Sequence, residues 1–561
     1  MAAASTSDLT TPLIPSSINT NGRRLQTTSI NNLPSQVILT VNDAYSQSGT
    51  PTAQDSVRMG TLDDIEEELL RSQEGNPYGV IGSDGFEAPG STTVDPFRNQ
   101  TAKIEGVYEW VKMLLVLPIA LVRLVLFGLC IVVGYVATKF ALHGWKDKQN
   151  PMPKWRCRVM WITSYHWINR TGKPAPRDVA PILVSNHVTY IDPILFFYEL
   201  SPTIVASESH DSMPFVGTII RAMQVIYVNR FSHQSRKQAV TEIKRKASNN
   251  NFPRVLLFPE GTTTNGRQLI SFQLGAFMPG YPIQPVVIRY PHVHFDQSWG
   301  HITVAMLMFR MFMQFHNFLE VEYLPVMAPS QHHKESAARF AERTGRAMAS
   351  ALNVVQTSHS FADYALLSKA AEAGQKCLSP FMVEMTKIQK LCHLTSSEAV
   401  DLLDRFLAMN PDISGCVKMQ DFLRVLRLKP SALLSEQIFG FIDVEKNGII
   451  TFKEFLVGSA HVLKLPVFRR ACEVAFAESD ENKDHYISIQ EFGGSASPAI
   501  PDLSMSEIVT LFNLFDTDGD GKISKDDFLT CLRRNPLLIA LFLHHFMDKD
   551  LTAETSLNEM V

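Results

Sequence analysis

The stretch MLLVLPIALVRLVLFGLCIVVGYVAT, residues 113 to 138, constrains this chain more than any other, because a run so apolar has to leave water. Wound as an α-helix it reaches about 39 Å, more than the roughly 30 Å hydrocarbon core of a bilayer. Pro118 and Arg123 interrupt it. Two membrane readings follow: one crossing with Arg123 snorkelling, or a hairpin bent back into the leaflet it entered. A buried helix of a soluble core is the remaining reading. Lys146, Lys148, Lys154, Arg156 and Arg158 follow the run, and this positive excess assigns everything downstream to the cytosolic side. The side occupied by the N-terminus depends on which membrane reading holds. The start, MAAASTSDLTTPLIPSS, lacks the basic and apolar regions of a secretory signal.

Around that segment, 561 residues leave room for roughly two to four domains. Residues 1–104 are rich in Ser, Thr, Asn, Gly and Pro and read as mostly disordered, apart from a short acidic helix over LDDIEEELLRSQ, residues 62 to 73. The membrane segment takes 105–145. The runs PILVSN, PTIVAS, VIYVNR, RVLLFPEG and PVVIRY, separated by helix-length stretches, predict an α/β domain over 146–360 with strands apolar on both faces. A linker at 361–394 leads to paired helices around acidic loops, an all-α domain over 395–547, and a tail at 548–561. A net charge of −4 gives no general attraction for nucleic acid. The 7 Cys are scattered without a CxxC pair, which argues for a reduced compartment and against a disulfide framework or zinc site.

Within the α/β domain, VSNHVTYID places His187 and Asp192 five residues apart. On one straight helix such residues point about 140° apart, so they meet only across a strand-to-helix turn. PILVSN as strand and DPILFFYEL as helix, with Asp192 as N-cap and Pro193 at the first helical position, supply that turn. His545 and Asp550 share the spacing but lie in LIALFLHHFMDKD, one continuous helix, and fail the test. A histidine with a reference pKa near 6.5 suits the role of base for a hydroxyl, and an Asp would hold its tautomer. No nucleophile motif such as GxSxG is present. Further on, VIYVNR ends in Arg230. FPEGTTTNG, 258 to 266, sets Glu260 and Gly261 at a strand end before Thr262, Thr263 and Thr264. YPIQPVVIRY puts Pro285 at the start of another strand.

These four blocks, in this order, resemble the glycerolipid acyltransferase family: NH-x₄-D, a strand ending in Arg, FPEG-[ST], and an apolar block with a central Pro. The resemblance implies acyl transfer from a thioester to an alcohol, with His187 and Asp192 as the catalytic pair. It carries acceptor binding to Arg230, Glu260 and Gly261, with Asn186, Thr262 and Pro285 completing the matched blocks. An Arg forks onto phosphate and a Gly lets the backbone approach. Glu260 cannot hold phosphate by charge, and is expected to fix Arg230 or accept an acceptor hydroxyl. One departure is Gln224, in RAMQVIYVNR, where the family often has Gly. The basic run Arg236, Lys237, Lys244, Arg245 and Lys246 would either meet CoA phosphates or anionic lipid or form a solvated helix face. AMLMFRMFMQF, 305 to 315, reads first as a Met-rich core stripe and second as a contact with membrane or acyl chain.

The acidic loops follow the spacing of a calcium loop, with oxygen donors at positions 1, 3, 5, 7 and 12 around a Gly at 6. DTDGDGKISKDD offers Asp516, Asp518, Asp520, the Lys522 carbonyl and Asp527 around Gly521, with Asp in place of the usual bidentate Glu at position 12. DENKDHYISIQE offers Asp480, Asn482, Asp484, the Tyr486 carbonyl and Glu491, but has His485 at the Gly position. DVEKNGIITFKE offers Asp443, Glu445, Asn447 and Glu454 around Gly448. A fourth frame, NPDISGCVKMQD, keeps Gly415 but is poor in donors. Starts at 410, 443, 480 and 516 predict helix–loop–helix units packed in pairs.

Anchor, acyltransferase blocks and EF-hands together, over residues 105 to 545, resemble the EF-hand-bearing lysophospholipid acyltransferases, with NHVTYIDP nearest to plant members acting on lysophosphatidylethanolamine. The resemblance implies acyl-CoA as co-substrate, Ca²⁺ in the EF-hands and no redox cofactor. It implies lysophospholipid acceptors, lysophosphatidylethanolamine ahead of lysophosphatidylcholine or lysophosphatidate, at an endoplasmic reticulum membrane with both domains facing the cytosol. The oligomeric state is left open. Two rivals are a catalytically dead, calcium-sensing membrane adaptor and a glycerol-3-phosphate acyltransferase. The intact His187, Asp192, Arg230 and Glu260 argue against the first, and only the acceptor separates the second.

Overall fold

Short β-branched runs become strands here because both their faces are covered. The strands are β1 (Ile168–Thr171), β2 (Ile182–Ser185), β3 (Thr203–Ser207), β4 (Ile226–Val228), β5 (Val255–Leu257), β6 (Gln268–Leu269), β7 (Ile283–Arg289), β8 (Leu319–Tyr323) and β9 (Val355–Gln356). Seven of them form one sheet in the order β1-β8-β7-β2-β5-β3-β4, while β6 pairs with β9 outside it. From β7 to β4 every neighbouring pair is parallel, and β8 runs antiparallel to β7. This computed structural model describes residues 76–88, 90, 94–142, 168–208, 221, 224–300, 302–330 and 334–546. The acidic stretch at 62–73, the basic cluster from Lys146 to Arg158 and Asp550 lie outside them.

Ile182, Val184, Val255, Leu257 and Val287 pack on one side of the sheet with Ala239 and Ile243 of the helix His233–Ser248 and Phe340 and Met348 of the helix Ala337–Leu352. Leu183, Leu256, Val286 and Ile288 point to the other side, against Leu195 and Phe196 of the helix Ile191–Leu200. Strands that turn an apolar side chain to each face lose the usual alternation, which is why they read as continuous apolar runs.

The membrane segment is α1 (Val107–Leu142), 36 residues of unbroken helix with Pro118 inside it. The hairpin expected as one alternative is therefore not the structure of 107–142. A break would leave backbone groups without partners in an apolar setting, whereas Pro118 removes only one hydrogen bond. Glu109, Lys112, Val116 and Ala120 are buried at three- and four-residue spacing, and that stripe faces the helix Val304–Phe312. Arg123 is engaged within the protein. Its guanidinium donates to the carbonyls of Phe312, at 2.7 Å, Gln314 and Phe315, capping the end of that helix. The most apolar window of α1 is only 11% buried, with mean hydropathy 2.8. In Val304–Phe312 itself, Leu307, Arg310 and Met311 are buried while Met306 and Phe309 are exposed, so the Met-rich stretch is core on one side and open on the other.

The C-terminal region repeats helix–loop–helix: Ser396–Ala408 with Met419–Leu426, Leu433–Ile442 with Phe452–Leu463, Phe468–Ser479 with Ile489–Ala496, and Met505–Phe515 with Lys525–Arg534. The loops are tied in twos by short antiparallel ladders. β10 (Cys416–Lys418) meets β11 (Ile449–Thr451), and β12 (Tyr486–Ile487) meets β13 (Ile523–Ser524). Residues 361–394, expected as a linker, carry Leu366, Leu367, Met385 and Ile388 into the same buried core as these hands.

Residues 76–106 differ from the disorder expected of the first hundred. Tyr78, Ile81 and Phe97 are buried in the EF-hand core, and the Tyr78 hydroxyl donates to Leu537 O at 2.9 Å. Ser83 Oγ lies 2.9 Å from His461 Nε2, and Lys453 Nζ donates to Gly90 O at 2.7 Å. Farther along, the Asn265 amide holds the carbonyls of Asp95 and Arg98, and the Asn99 amide those of Asp296 and Ser298. The segment is a strap across both domains, and its polar residues serve as hydrogen-bond partners.

Candidate active site

Pro285 apart, the residues of the four blocks sit at or just beyond the carboxyl ends of parallel strands, where open α/β sheets bind ligands. His187 follows β2, Arg230 follows β4, Glu260 and Gly261 follow β5, and Tyr290 follows β7. The turn 186–190 brings the pair together: His187 Nδ1 lies 2.8 Å from Asp192 Oδ2. The same oxygen accepts the amides of Val188 at 2.6 Å and Thr189 at 3.0 Å, and the Tyr290 hydroxyl donates to Oδ1. Asp192 is fully buried. It is not the N-cap that the sequence predicts: Tyr190 holds that place, and the Asp192 side chain reaches back from the first turn to gather the preceding loop. Helix starts read from sequence shift by a residue or two, and here the shift gives Asp192 four donors.

The other blocks fix the backbone of the first. Asn186 Nδ2 donates to Ile288 O at 2.9 Å and its Oδ1 accepts Ile288 N–H at 2.8 Å, so its side chain continues the β2–β7 ladder. Glu260 Oε1 accepts the His187 N–H at 2.9 Å, and the His187 carbonyl accepts Thr264 N–H at 2.8 Å. Glu260 makes no ion pair with Arg230, contrary to one expectation for it. Burial in the turn pushes its carboxyl up to about 8, even though the His187 amide favours the charged form. The His187 ring stacks on Phe258, centroids 4.2 Å apart, and its Nδ1 faces Asp192, which leaves Nε2 as the outer nitrogen.

Arg230 lies over the Phe361 ring, 4.9 Å from guanidinium to centroid, and among the described residues no carboxylate pairs with it. Desolvation by burial lowers its pKa. Gly261 has φ +77°, a left-handed conformation that favours glycine, and it places this turn beside Arg230. Thr262 is buried in the same turn. Pro285 is not brought to the site: it lies inside β7, opposite Val184, as a strand residue. Gln224 takes φ +54°, a left-handed conformation that glycine adopts most readily, and its carbonyl accepts Lys246 Nζ at 2.6 Å. Lys246 is thereby buried and withdrawn from the basic run, while Arg236, Lys237, Lys244 and Arg245 stay exposed. Tyr290 is the residue that the sequence reading misses. Its only signal is a tyrosine directly after an apolar strand.

In the fourth EF-hand, Asp516, Asp518 and Asp520 each place an oxygen within 4.8 Å of the others. The Asp520 amide favours ionised Asp518, yet desolvation and the surrounding carboxylates of Asp520, Asp527 and Asp516 together leave its pKa raised, a repulsion that a cation would relieve. Asp516 accepts the amides of Gly519, Asp520 and Gly521, and Asp527 those of the Ser524 amide and hydroxyl and the Thr517 hydroxyl. Asp480 and Asp443 organise their loops in the same way, through Asp484 and His485 and through Asn447 and Gly448. Glu454 and Glu491 close capping boxes with Thr451 and Ser488. His485 does form the sharp turn, at φ +69°.

An acyltransferase family profile matches residues 168–289, and an EF-hand domain pair profile matches residues 414–461 and 494–535. The Arabidopsis thaliana lysophospholipid acyltransferase LPEAT2 is 62% identical over 478 residues, covering 83% of this chain and 88% of that one. This chain belongs to the lysophospholipid acyltransferases. Lysophosphatidylcholine acyltransferase 2 of Mus musculus is 31% identical over 73% of this chain and 79% of its own length, and the Drosophila melanogaster lysophosphatidylcholine acyltransferase is 30% identical over 80% and 87%. As a lysophospholipid acyltransferase family member the chain is an acyltransferase that carries EF-hands, and its long apolar helix fits a membrane-associated lipid enzyme.

Proposed function

We propose that the chain transfers an acyl group from acyl-CoA to the sn-2 hydroxyl of a lysophospholipid, with lysophosphatidylethanolamine favoured over lysophosphatidylcholine and lysophosphatidate. The observation that carries this reading is the His187–Asp192 pair, with Nδ1 engaged and Nε2 outermost. The acceptor hydroxyl gives its proton to Nε2 while its oxygen attacks the thioester carbonyl. Asp192, held by two amides and Tyr290, stabilises the imidazolium. Collapse of the tetrahedral intermediate breaks the C–S bond, and the proton returns from Nε2 to the departing CoA sulfur. Arg230, a desolvated cation that no carboxylate pairs with among the described residues, takes the acceptor's phosphate.

In this reading the EF-hands bind Ca²⁺ through Asp516, Asp518, Asp520 and Asp527, with the hands at 480–491 and 443–454 as further sites. The membrane is that of the endoplasmic reticulum, with both domains on the cytosolic side. Residues 94–101 and the strands after 168 pack on the same domain, so the chain leaves and rejoins it on one side of the membrane. Residues 143–167 contain Lys146, Asp147, Lys148, Lys154, Arg156 and Arg158 and no run long enough for a return crossing. We therefore assign α1 to one leaflet, inserted without crossing. The deciding experiment measures acyl-CoA consumption by membranes carrying wild type or His187→Ala, with the three acceptors offered separately. Activity lost in the variant supports the reading. Wild-type protein that is folded and inactive on all three would favour the calcium-sensing adaptor.

A further inference from the structure

One rim position remains outside the four blocks. In the sheet order β2-β5-β3-β4, the carboxyl end of β3 lies between Glu260 on β5 and Arg230 on β4, and the residue it delivers there is Glu208. Among the described residues, Glu208, Ser207, Asn229, Arg230, Phe231 and Phe361 line one cavity of about 250 Å³. Among the described residues the carboxylate and the guanidinium line the same space without pairing: Glu208 accepts the Ser235 hydroxyl, at 3.3 Å, and Arg230 stacks on Phe361. The rings of Phe231 and Phe361 stand 5.8 Å apart, and Phe231 is half-exposed.

A cavity with a cation at one place, an anion at another and two aromatic faces matches a ligand that is itself a zwitterion. A phosphate monoester has nothing to offer the carboxylate and is repelled by it. An ammonium gains a charge-assisted contact with the carboxylate and a favourable ring face. We propose that Glu208, with Phe231, receives the ammonium of a zwitterionic head group whose phosphate sits on Arg230, and that this pair sets the preference for ammonium-bearing over anionic lysophospholipids. The proposal rests on the acyl-transfer reading above and adds the residues that choose the acceptor.

The test is kcat/KM for lysophosphatidylethanolamine and for lysophosphatidate in wild type, Glu208→Gln and Glu208→Lys, each checked for folding by thermal melting. The ratio of the two specificity constants should fall about fivefold in Glu208→Gln, the scale of one partly exposed ion pair with its ring contact, and further in Glu208→Lys. An unchanged ratio, or equal loss on both acceptors, overturns the proposal. Wild-type protein inactive on both acceptors and on lysophosphatidylcholine would instead overturn the acyl-transfer reading beneath it.

Discussion

Glu260 holds His187 by the backbone: its Oε1 accepts the histidine N–H at 2.9 Å from a fully buried position. The carboxylate named by the FPEG block thus acts on the geometry of the proposed base. Through Thr264 the same turn also takes the His187 carbonyl, so the residue is gripped on both sides of its peptide.

That grip has a pH signature. Burial pushes the Glu260 carboxyl up to about 8 from the 4.5 ordinary for a glutamate, so the folded state keeps a proton that the unfolded chain releases. The stability this proton confers is complete below the unfolded value and is lost as the pH climbs to about 8. Glu260→Gln, which keeps an oxygen for the His187 amide, should flatten the fall of melting temperature across that window. The wild-type slope attributable to this group is at most about 1.4 kcal/mol per pH unit. Identical slopes in the two proteins would refute the assignment.

Tyr290→Phe removes one donor from Asp192 and leaves Oδ1 a buried acceptor without its partner. A hydrogen bond to a charged group contributes about 1.5–3 kcal/mol, so kcat should drop by about tenfold or more. KM for the acceptor should change little, because the hydroxyl positions Asp192 and touches no substrate. Steady-state kinetics separates the two parameters, and a pure KM effect would show that Tyr290 acts on binding.

Asn186→Ala strips both the donor and the acceptor that serve Ile288. Two buried backbone groups then lose their partner, at about 1–3 kcal/mol each if nothing replaces it. A melting temperature within a degree of wild type would mean that water fills the gap.

The EF-hands differ in how well their backbones are prepared. His485 at φ +69° occupies a conformation that costs a residue with a Cβ about 1 kcal/mol or more. His485→Gly should tighten calcium binding at 480–491 by about fivefold, read by isothermal calorimetry of the full protein. Asp516→Ala should remove the site at 516–527 and leave the others titratable. If the number of bound ions is the same in wild type and Asp516→Ala, the fourth hand does not bind.

The four blocks and the calcium loops were legible because chemistry dictates both residue type and spacing there: a histidine and a carboxylate that meet across a turn, oxygens at alternate positions of a loop. Tyr290 was not, since one tyrosine after a strand has many uses and only the folded sheet brings it to Asp192. The placement of Asp192 missed by a residue or two for want of anything in the sequence to fix the helix start. The unbroken course of α1 through Pro118 depends on apolar surroundings that a breaker residue does not encode. Glu208 carries no motif, and its interest comes from the strand order that sets it between Glu260 and Arg230. The strap at 76–106 was hidden by composition: its polar residues serve partners hundreds of positions away.

That distance has a consequence for how the protein is made. Tyr78 leaves the ribosome early, but its partner Leu537 comes 459 residues later. At about 5–20 residues per second, Tyr78 waits roughly 20 seconds or more for that partner, while the membrane helix behind it has already met lipid. The C-terminal helix Pro536–Phe546 packs in the same core as Tyr78, so nascent chains short of that helix present this part of the strap to chaperones and proteases uncovered.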